Sequence, residues 1–269
     1  MKTFAATPRV RTAAFTMVEI ALCLAIVGFA LVAIIGVLPA GLNVQKENRE
    51  ETIINQDATL ILNALRGSDR GNDELTNLFE RITVTRTLFL PPNYVNSQPL
   101  PTIVGEVGRA NGALVDLTEP ANIIGLLSTP RYQPSERGLI SNHVVAFVRA
   151  ASGAATEKVT RDNPVRDMTF GYRLISEVTP PNLTDYFQQY TNDVGSAFAR
   201  NLHDVRLVFA WPLIPPLDRN LGMPTNFGNA RLIFRTQVGG AMGAFPVPSR
   251  TDDDMFFFYL NPDGNGRHL

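Results

Sequence analysis

The N-terminal part of the chain divides into a short basic stretch and a long apolar stretch. Residues 1–14 carry three basic side chains and no acidic one. Residues 15–38 follow, with only Thr16 and Glu19 as clearly polar side chains. As an α-helix, this stretch would be roughly 36 Å long, which is enough to cross the ~30 Å hydrocarbon layer of a membrane. Because the positive charges precede it, we expect a single-pass helix with its N-terminus in the cytoplasm and the remaining chain exported.

Two ordinary targeting segments could give the same pattern. A secretory signal peptide has an apolar region of only about 7–15 residues, followed by a small-x-small cleavage site. Here the apolar stretch is longer, and the best later site, residues 38–40, begins with leucine. A plain signal anchor explains the length but leaves Glu19 unexplained, since a carboxylate within an apolar span costs a few kcal/mol. Glu19 could also lie near the cytoplasmic surface and reach water there.

The residues around Glu19 resemble a known processing motif. Residues 14–20 read AFTMVEI after the basic leader, which is similar to the prepilin cleavage and N-methylation motif of type IV pilin-like proteins and type II secretion pseudopilins. The resemblance implies cleavage by prepilin peptidase between Ala14 and Phe15, and methylation of the new Phe15 amino group. It also implies that Glu19 pairs with the Phe15 ammonium of a neighbouring subunit during assembly. Ala14 departs from the motif, in which glycine is usual at this position.

The helical pattern continues beyond the apolar stretch. Pro39 and Gly41 indicate either a bend within the helix or a helix end at the membrane surface. Four apolar residues then recur on one face of a helix, at Ile54, Ala58, Ile61 and Leu65. The polar residues of this segment are predicted to face mainly solvent: Glu47, Asn48, Glu50, Glu51, Asn55, Gln56 and Asp57. The pattern predicts one long helix over residues 15–66, half membrane span and half amphipathic spine, with Gly67 as the stop.

The remainder of the chain has the alternating pattern of β-strands. Strands are predicted at residues 82–90, 143–150, 168–178, 204–211, 230–238 and 255–260. Residues 184–200 fit either a helix or an ordered insertion, and residues 223–229 are rich in turn formers. A long helix followed by strands predicts an α+β fold with a mostly antiparallel sheet, which is also what the pilin resemblance implies.

Local turn signals predict how some of these segments connect. Residues 93–102 follow two prolines and are predicted to be a loop. Residues 104–117 are predicted to form a hairpin that turns at Asn111-Gly112. Thr118 is predicted to cap a short helix that ends at Leu127. The expected organisation is a leader (residues 1–14), a spine helix (15–66) and one β-rich head domain (67–269).

Composition and motifs give no positive sign of an enzyme. The formal net charge of -1 gives no basic excess for nucleic acid. The three histidines are not at metal-ligand spacing, and no zinc-protease, nucleophile-elbow or phosphate-loop motif occurs. Cys23 is the only cysteine, so no intramolecular disulfide can form, and we expect it to act as a small apolar residue. We expect no catalytic residues.

One acidic region could bind calcium. Asp252 and Asp253 precede the last predicted strand, and residues 261–266, with Asp263 and Asn265, resemble the beginning of a calcium loop. Calcium requires six to eight oxygen ligands, so both groups would have to contribute. The alternative is a solvated turn, since the sequence NPDG suits a type I turn. Otherwise we expect no cofactor. The consecutive aromatic residues at 256–259 are predicted to have one face in the core and the other at an interface.

These observations predict a structural role. The resemblance implies a subunit, by its size a minor pilin or pseudopilin, of a type IV pilus-like or type II secretion filament. Its expected partners are prepilin peptidase, other pilin subunits and the inner-membrane assembly machinery. It would reside in the bacterial inner membrane before joining the filament. The alternative is a signal-anchored periplasmic binding protein or enzyme that never assembles and therefore keeps residues 1–14.

Overall fold

The computed structural model describes residues 15–67, 73–91, 96–107, 115–149, 170–180, 200–214, 226–247 and 255–261. Its first element is α1 (Met17–Gly67), a single helix of 51 residues. The predicted long helix is therefore confirmed. The helix continues past Pro39, so a helix end at this proline is wrong, while a bend stays a prediction. The chain divides into two compact units, Met1–Glu51 and Thr52–Leu269.

The first unit contributes the apolar part of α1. This part is long and apolar enough to cross a membrane, and none of its most apolar segment is buried within the protein. Large apolar side chains are exposed along its whole length, from Met17 to Leu42. A helix that is apolar on every side requires lipid or other apolar helices around it. The sequence-based expectation of a candidate membrane-spanning helix is thus borne out by its structure.

The second unit is built on a mostly antiparallel sheet, so the fold class is α+β. The main sheet has the strand order β3-β2-β1-β5-β6-β7-β8. Strand β4 lies outside this order and pairs with β5. Its strands are β1 (Phe79–Leu90), β2 (Asn96–Glu106), β3 (Val115–Asp116), β4 (Tyr132–Ser135), β5 (Gly138–Arg149), β6 (Gly171–Thr179), β7 (Leu202–Ile214) and β8 (Asn226–Gly239). A two-stranded sheet, β9 (Met242–Pro246) with β10 (Phe256–Leu260), and two short helices, α2 (Asp73–Leu78) and α3 (Pro120–Leu127), complete it.

One face of the main sheet forms the core together with the second half of α1. Alternate residues are buried along β5, β6 and the part of β7 up to Phe209, and most of the residues between them are half-buried. The predicted apolar stripe of α1 is confirmed, because all four of its residues are buried: Ile54, Ala58, Ile61 and Leu65. Helix α3 lies on the same face, where the Ser176 hydroxyl donates a hydrogen bond to the Leu127 carbonyl at 2.7 Å. The other face of the sheet is half-exposed among the described residues.

Several sequence-based predictions of local structure need correction. The predicted loop at residues 93–102 lies largely within β2, and this part of β2 pairs only with β1 among the described strands. Prolines suit such a strand, since the outer edge needs no ladder hydrogen bond. The predicted hairpin over residues 104–117 is also wrong, because β2 and β3 pair in parallel. Strand β8 begins at Asn226, inside the segment predicted to be turn-rich.

The start of α3 differs from its prediction as well. Its N-cap residue is Glu119, which makes no side-chain capping bond, so Thr118 is not the cap. Asp116 organises this turn instead: its carboxylate accepts a hydrogen bond from the Thr118 N–H at 2.9 Å. The Asp116 carbonyl also accepts one from the Asn122 side chain at 2.7 Å.

The last aromatic strand is more enclosed than predicted. Phe257, Phe258 and Tyr259 of β10 are all buried, so both faces of the strand are covered within the described chain. The prediction of an interface on the other face is therefore wrong for Phe258, while Phe256 on the same face is half-buried. The predicted turn at Asn111-Gly112 and most of the ambiguous segment at residues 184–200 lie outside the described residues.

Candidate functional site

The start of α1 is organised by a reciprocal pair of hydrogen bonds between Thr16 and Glu19. The Thr16 backbone N–H donates to Glu19 Oε2 at 2.9 Å. In return, the Glu19 backbone N–H donates to Thr16 Oγ1 at 3.3 Å. The Thr16 hydroxyl also donates to Glu19 Oε2 at 2.9 Å. This is a capping box, in which a threonine N-cap and a glutamate three residues later satisfy backbone N–H groups that the helix itself cannot pair.

The capping box gives Glu19 a local role that the sequence reading missed. The signal was present, because threonine at residue 16 and glutamate at residue 19 have the spacing of the motif. The carboxylate also places a negative charge at the positive end of the helix dipole, where it is stabilising. The presence of an acid in this apolar segment therefore has a structural reason that does not depend on any partner.

Only one oxygen of the Glu19 carboxylate takes part in the capping box. Both contacts from Thr16 go to Oε2. Among the described residues, Oε1 makes no hydrogen bond or ion pair, and the side chain is exposed. A carboxylate has lone pairs on both oxygens and can accept from two donors at once. Glu19 can therefore hold the start of its own helix and accept a cation from another molecule at the same time.

The surroundings of Glu19 are apolar. Phe15, Met17 and Val18 each expose more than three quarters of their surface. Glu19 is thus a single acid on an exposed apolar surface. Few other described acidic groups could bind a cation at this place. Of the predicted site residues, the structure brings Phe15 and Glu19 to the same helix start. Ala14 lies outside the described residues.

The predicted calcium site falls on residues that the structure does not describe. Asp252, Asp253, Asp263 and Asn265 all lie outside the described residues, so calcium binding stays a prediction. Within the described ranges, no three or more histidine, cysteine, aspartate or glutamate side chains form a group that could hold a metal ion. Cys23 is exposed on the apolar half of α1.

A buried acid in the second half of α1 corrects another prediction. The sequence pattern predicts that Asp57 faces solvent, but only 6% of its surface is exposed. Its carboxylate accepts a hydrogen bond from the Tyr172 hydroxyl at 3.0 Å. Burial raises the pKa of Asp57 to about 6, and the hydrogen bond from Tyr172 lowers it by less. Burial, and secondarily the charge of Asp57, raises the pKa of Tyr172.

Comparison of the chain with family models, curated proteins and solved structures gives no match. The functional argument therefore depends on the residues and their arrangement. Two features carry it. The first is an exposed apolar helix that begins with a capped acid, and the second is an α+β head that incorporates the other half of the same helix.

Proposed function

We propose that this chain is a structural subunit, a minor pilin or pseudopilin, of a type IV pilus-like or type II secretion filament. The observation that best supports the proposal is the continuity of α1. One helix of 51 residues has a fully exposed apolar first part and a second part whose apolar stripe is buried in the head. A subunit with this arrangement can present an apolar helix to its neighbours while its folded head stays intact.

The apolar half of α1 suits two successive environments. Before assembly, its length and composition match the hydrocarbon layer. After assembly, the same side chains would pack against equivalent helices of other subunits. Exchange of lipid contacts for helix contacts is driven by close packing and by polar pairing rather than by the hydrophobic effect. A polar group that pairs only in the correct arrangement would therefore contribute strongly to assembly.

Glu19 is the residue that we assign to this pairing. After cleavage between Ala14 and Phe15, the new amino group of Phe15 would be a cation at the start of each helix. Oε1 of Glu19, which has no partner among the described residues, would accept the Phe15 ammonium of the adjacent subunit, while Oε2 stays in the capping box. An unpaired charge is costly in an apolar environment, so this pair would favour one axial register over all others.

Variants at residues 16 and 19 separate the capping role from the pairing role. Glu19→Gln keeps an amide oxygen that can accept from the Thr16 N–H but removes the charge. Thr16→Ala removes the hydroxyl of the cap, at a cost of about 1 kcal/mol to the helix, and keeps the charge. We expect Glu19→Gln and Glu19→Ala to insert into the membrane and to be absent from sheared filaments. Thr16→Ala should still be incorporated.

The measurement is the ratio of filament-bound to membrane-bound protein in the native host. Normal incorporation of both Glu19 variants would contradict the pairing role. Failure of Thr16→Ala together with both Glu19 variants would assign the effect to the helix start instead. A signal-anchored protein that never assembles would be absent from filaments in the unsubstituted form and would tolerate all three changes.

A further inference from the structure

Four arginines on the main sheet and beside it pair with glutamates. The pairs are Arg81 with Glu106, Arg149 with Glu80, and both Arg131 and Arg206 with Glu177. Each arginine of this group thus has a carboxylate partner. Such pairs contribute modestly to stability, but they leave little unbalanced charge on the surface.

Arg173 and Arg231 are different, because neither has a carboxylate partner among the described residues. They lie in one row across three strands, where Arg173 of β6 pairs with Ala210 of β7, and Ala210 pairs with Arg231 of β8. Directly paired residues of antiparallel strands project from the same face of the sheet. The two arginines therefore stand on either side of the small Ala210, on the half-exposed face that is opposite α1.

Both guanidinium groups approach the same aromatic ring. The guanidinium carbon of Arg173 lies 3.6 Å from the centroid of the Phe227 ring, and that of Arg231 lies 5.6 Å from it. Each contact is a cation–π interaction, but the two positive charges repel each other. Burial, and secondarily the charge of Arg231, lowers the pKa of Arg173. The Arg173 Nε is buried and has no hydrogen-bond partner among the described residues.

This arrangement holds two cations side by side without a described carboxylate to balance their charge. A guanidinium presents its donors in a planar fork that matches the oxygens of phosphate or carboxylate. A carboxylate would neutralise one of the two charges. A phosphate monoester, with a charge of about -1.5 to -2 at neutral pH, would neutralise both.

We propose that Arg173, Arg231 and Phe227 form a binding site for a phosphate group on the half-exposed face of the sheet. The two guanidinium groups bind the phosphate oxygens, and the Phe227 ring holds both side chains in place through its cation–π contacts. The ligand is either a free phosphate compound or the headgroup of a phospholipid. The site does not depend on the proposed filament role, because all three residues belong to the head.

Calorimetric titration of the full-length chain in neutral detergent tests this site. Inorganic phosphate, glycerol phosphate and acetate are titrated separately at one ionic strength, so that general screening is constant. We expect saturable binding of inorganic phosphate and much weaker binding of acetate. Tighter binding of glycerol phosphate would assign the site to a lipid headgroup, and equal or weaker binding would assign it to free phosphate.

Three variants make the test specific. Arg231→Glu supplies Arg173 with a carboxylate and should abolish phosphate binding without unfolding the sheet. Arg173→Lys keeps the positive charge but loses the planar set of guanidinium donors, so the affinity for phosphate should fall about tenfold. Arg206→Ala is the matched control, since this arginine is already paired with Glu177, and it should bind phosphate normally. Absence of phosphate binding to the unsubstituted protein, or equal binding to Arg231→Glu, would overturn the proposal.

Discussion

The Tyr172 hydroxyl donates a hydrogen bond to the Asp57 carboxylate at 3.0 Å, and this bond connects the long helix to the middle of the main sheet. Both residues are buried within an otherwise apolar layer. The Tyr172 ring packs against the Phe209 ring, with their centroids 5.4 Å apart. Among the described residues, the hydrogen bond from Tyr172 is the only interaction besides burial that shifts the pKa of Asp57. The carboxyl group therefore keeps its proton to a higher pH in the folded head than in the unfolded chain.

The pH dependence of stability should reveal this buried acid. Folding raises the pKa of Asp57 from its ordinary 3.8 to about 6. The folded state then binds more protons than the unfolded state between these values, so stability falls as the pH rises through this range. At about 1.4 kcal/mol per pH unit, the expected loss is at most about 3 kcal/mol. Below about pH 4 and above about pH 6, this contribution is constant.

Asp57→Asn is the control for this prediction, because it keeps an acceptor for Tyr172 and cannot ionise. We would measure unfolding of the full-length chain in neutral detergent from the fluorescence of its single tryptophan, Trp211. The unsubstituted protein should lose stability relative to Asp57→Asn between about pH 4 and 6, since all other titrating groups are common to both. Parallel curves for the two proteins would show that Asp57 is ionised normally in the folded state.

Removal of the Tyr172 hydroxyl should destabilise the head at neutral pH. In Tyr172→Phe the packing of the ring is preserved, but the buried carboxylate loses its one described hydrogen bond. A loss of about 1–3 kcal/mol in the free energy of unfolding is expected near pH 7. The loss should be smaller near pH 4, where the carboxyl group is protonated. An equal loss at both pH values would indicate a packing effect rather than loss of this hydrogen bond.

The second half of α1 should behave as part of the core of the head. Ile61 is fully buried, so Ile61→Ala should lower the free energy of unfolding by about 2–5 kcal/mol. Asn63 is exposed on the same helix, so Asn63→Ala should change it by less than about 0.5 kcal/mol. Unfolding by denaturant in neutral detergent provides both values. Similar small effects for the two variants would mean that the helix is not an integral part of the head.

The sequence was sufficient to predict the helix and most of the sheet. The apolar stretch and the regular spacing of Ile54, Ala58 and Ile61 depend on local periodicity, which any helix must satisfy. The strands at β1, β5, β6, β7 and β8 were found because alternation of apolar residues persists over many positions. These features are local, and a one-dimensional pattern is enough to reveal them.

Other features depend on contacts that are distant in sequence. A charged residue such as Asp57 is predicted to face solvent, although its spacing from Ile54 and Ile61 places it on the buried face. Its partner, Tyr172, is 115 positions away. The parallel pairing of β2 and β3 likewise cannot be read from the turn signal between them. Arg173 and Arg231 come close to one ring only because three strands align them on either side of Ala210.

The candidate assembly site was predicted in part. The motif at residues 14–20 indicated Phe15 and Glu19, and the structure describes both at the start of α1. The capping bonds between Thr16 and Glu19 were visible as a spacing but were not inferred. Both contacts from Thr16 go to Oε2, and this choice of oxygen depends on side-chain geometry, which no sequence pattern specifies.

The central claim is that the chain is processed and assembled as a pilin-like subunit, and N-terminal peptide mass spectrometry tests it most directly. The protein would be isolated from its native membrane and digested, and its N-terminal peptide identified. We predict a mature chain that begins at Phe15 with one added methyl group on its amino nitrogen. A chain that retains residues 1–14 would contradict the account and would favour a plain signal anchor.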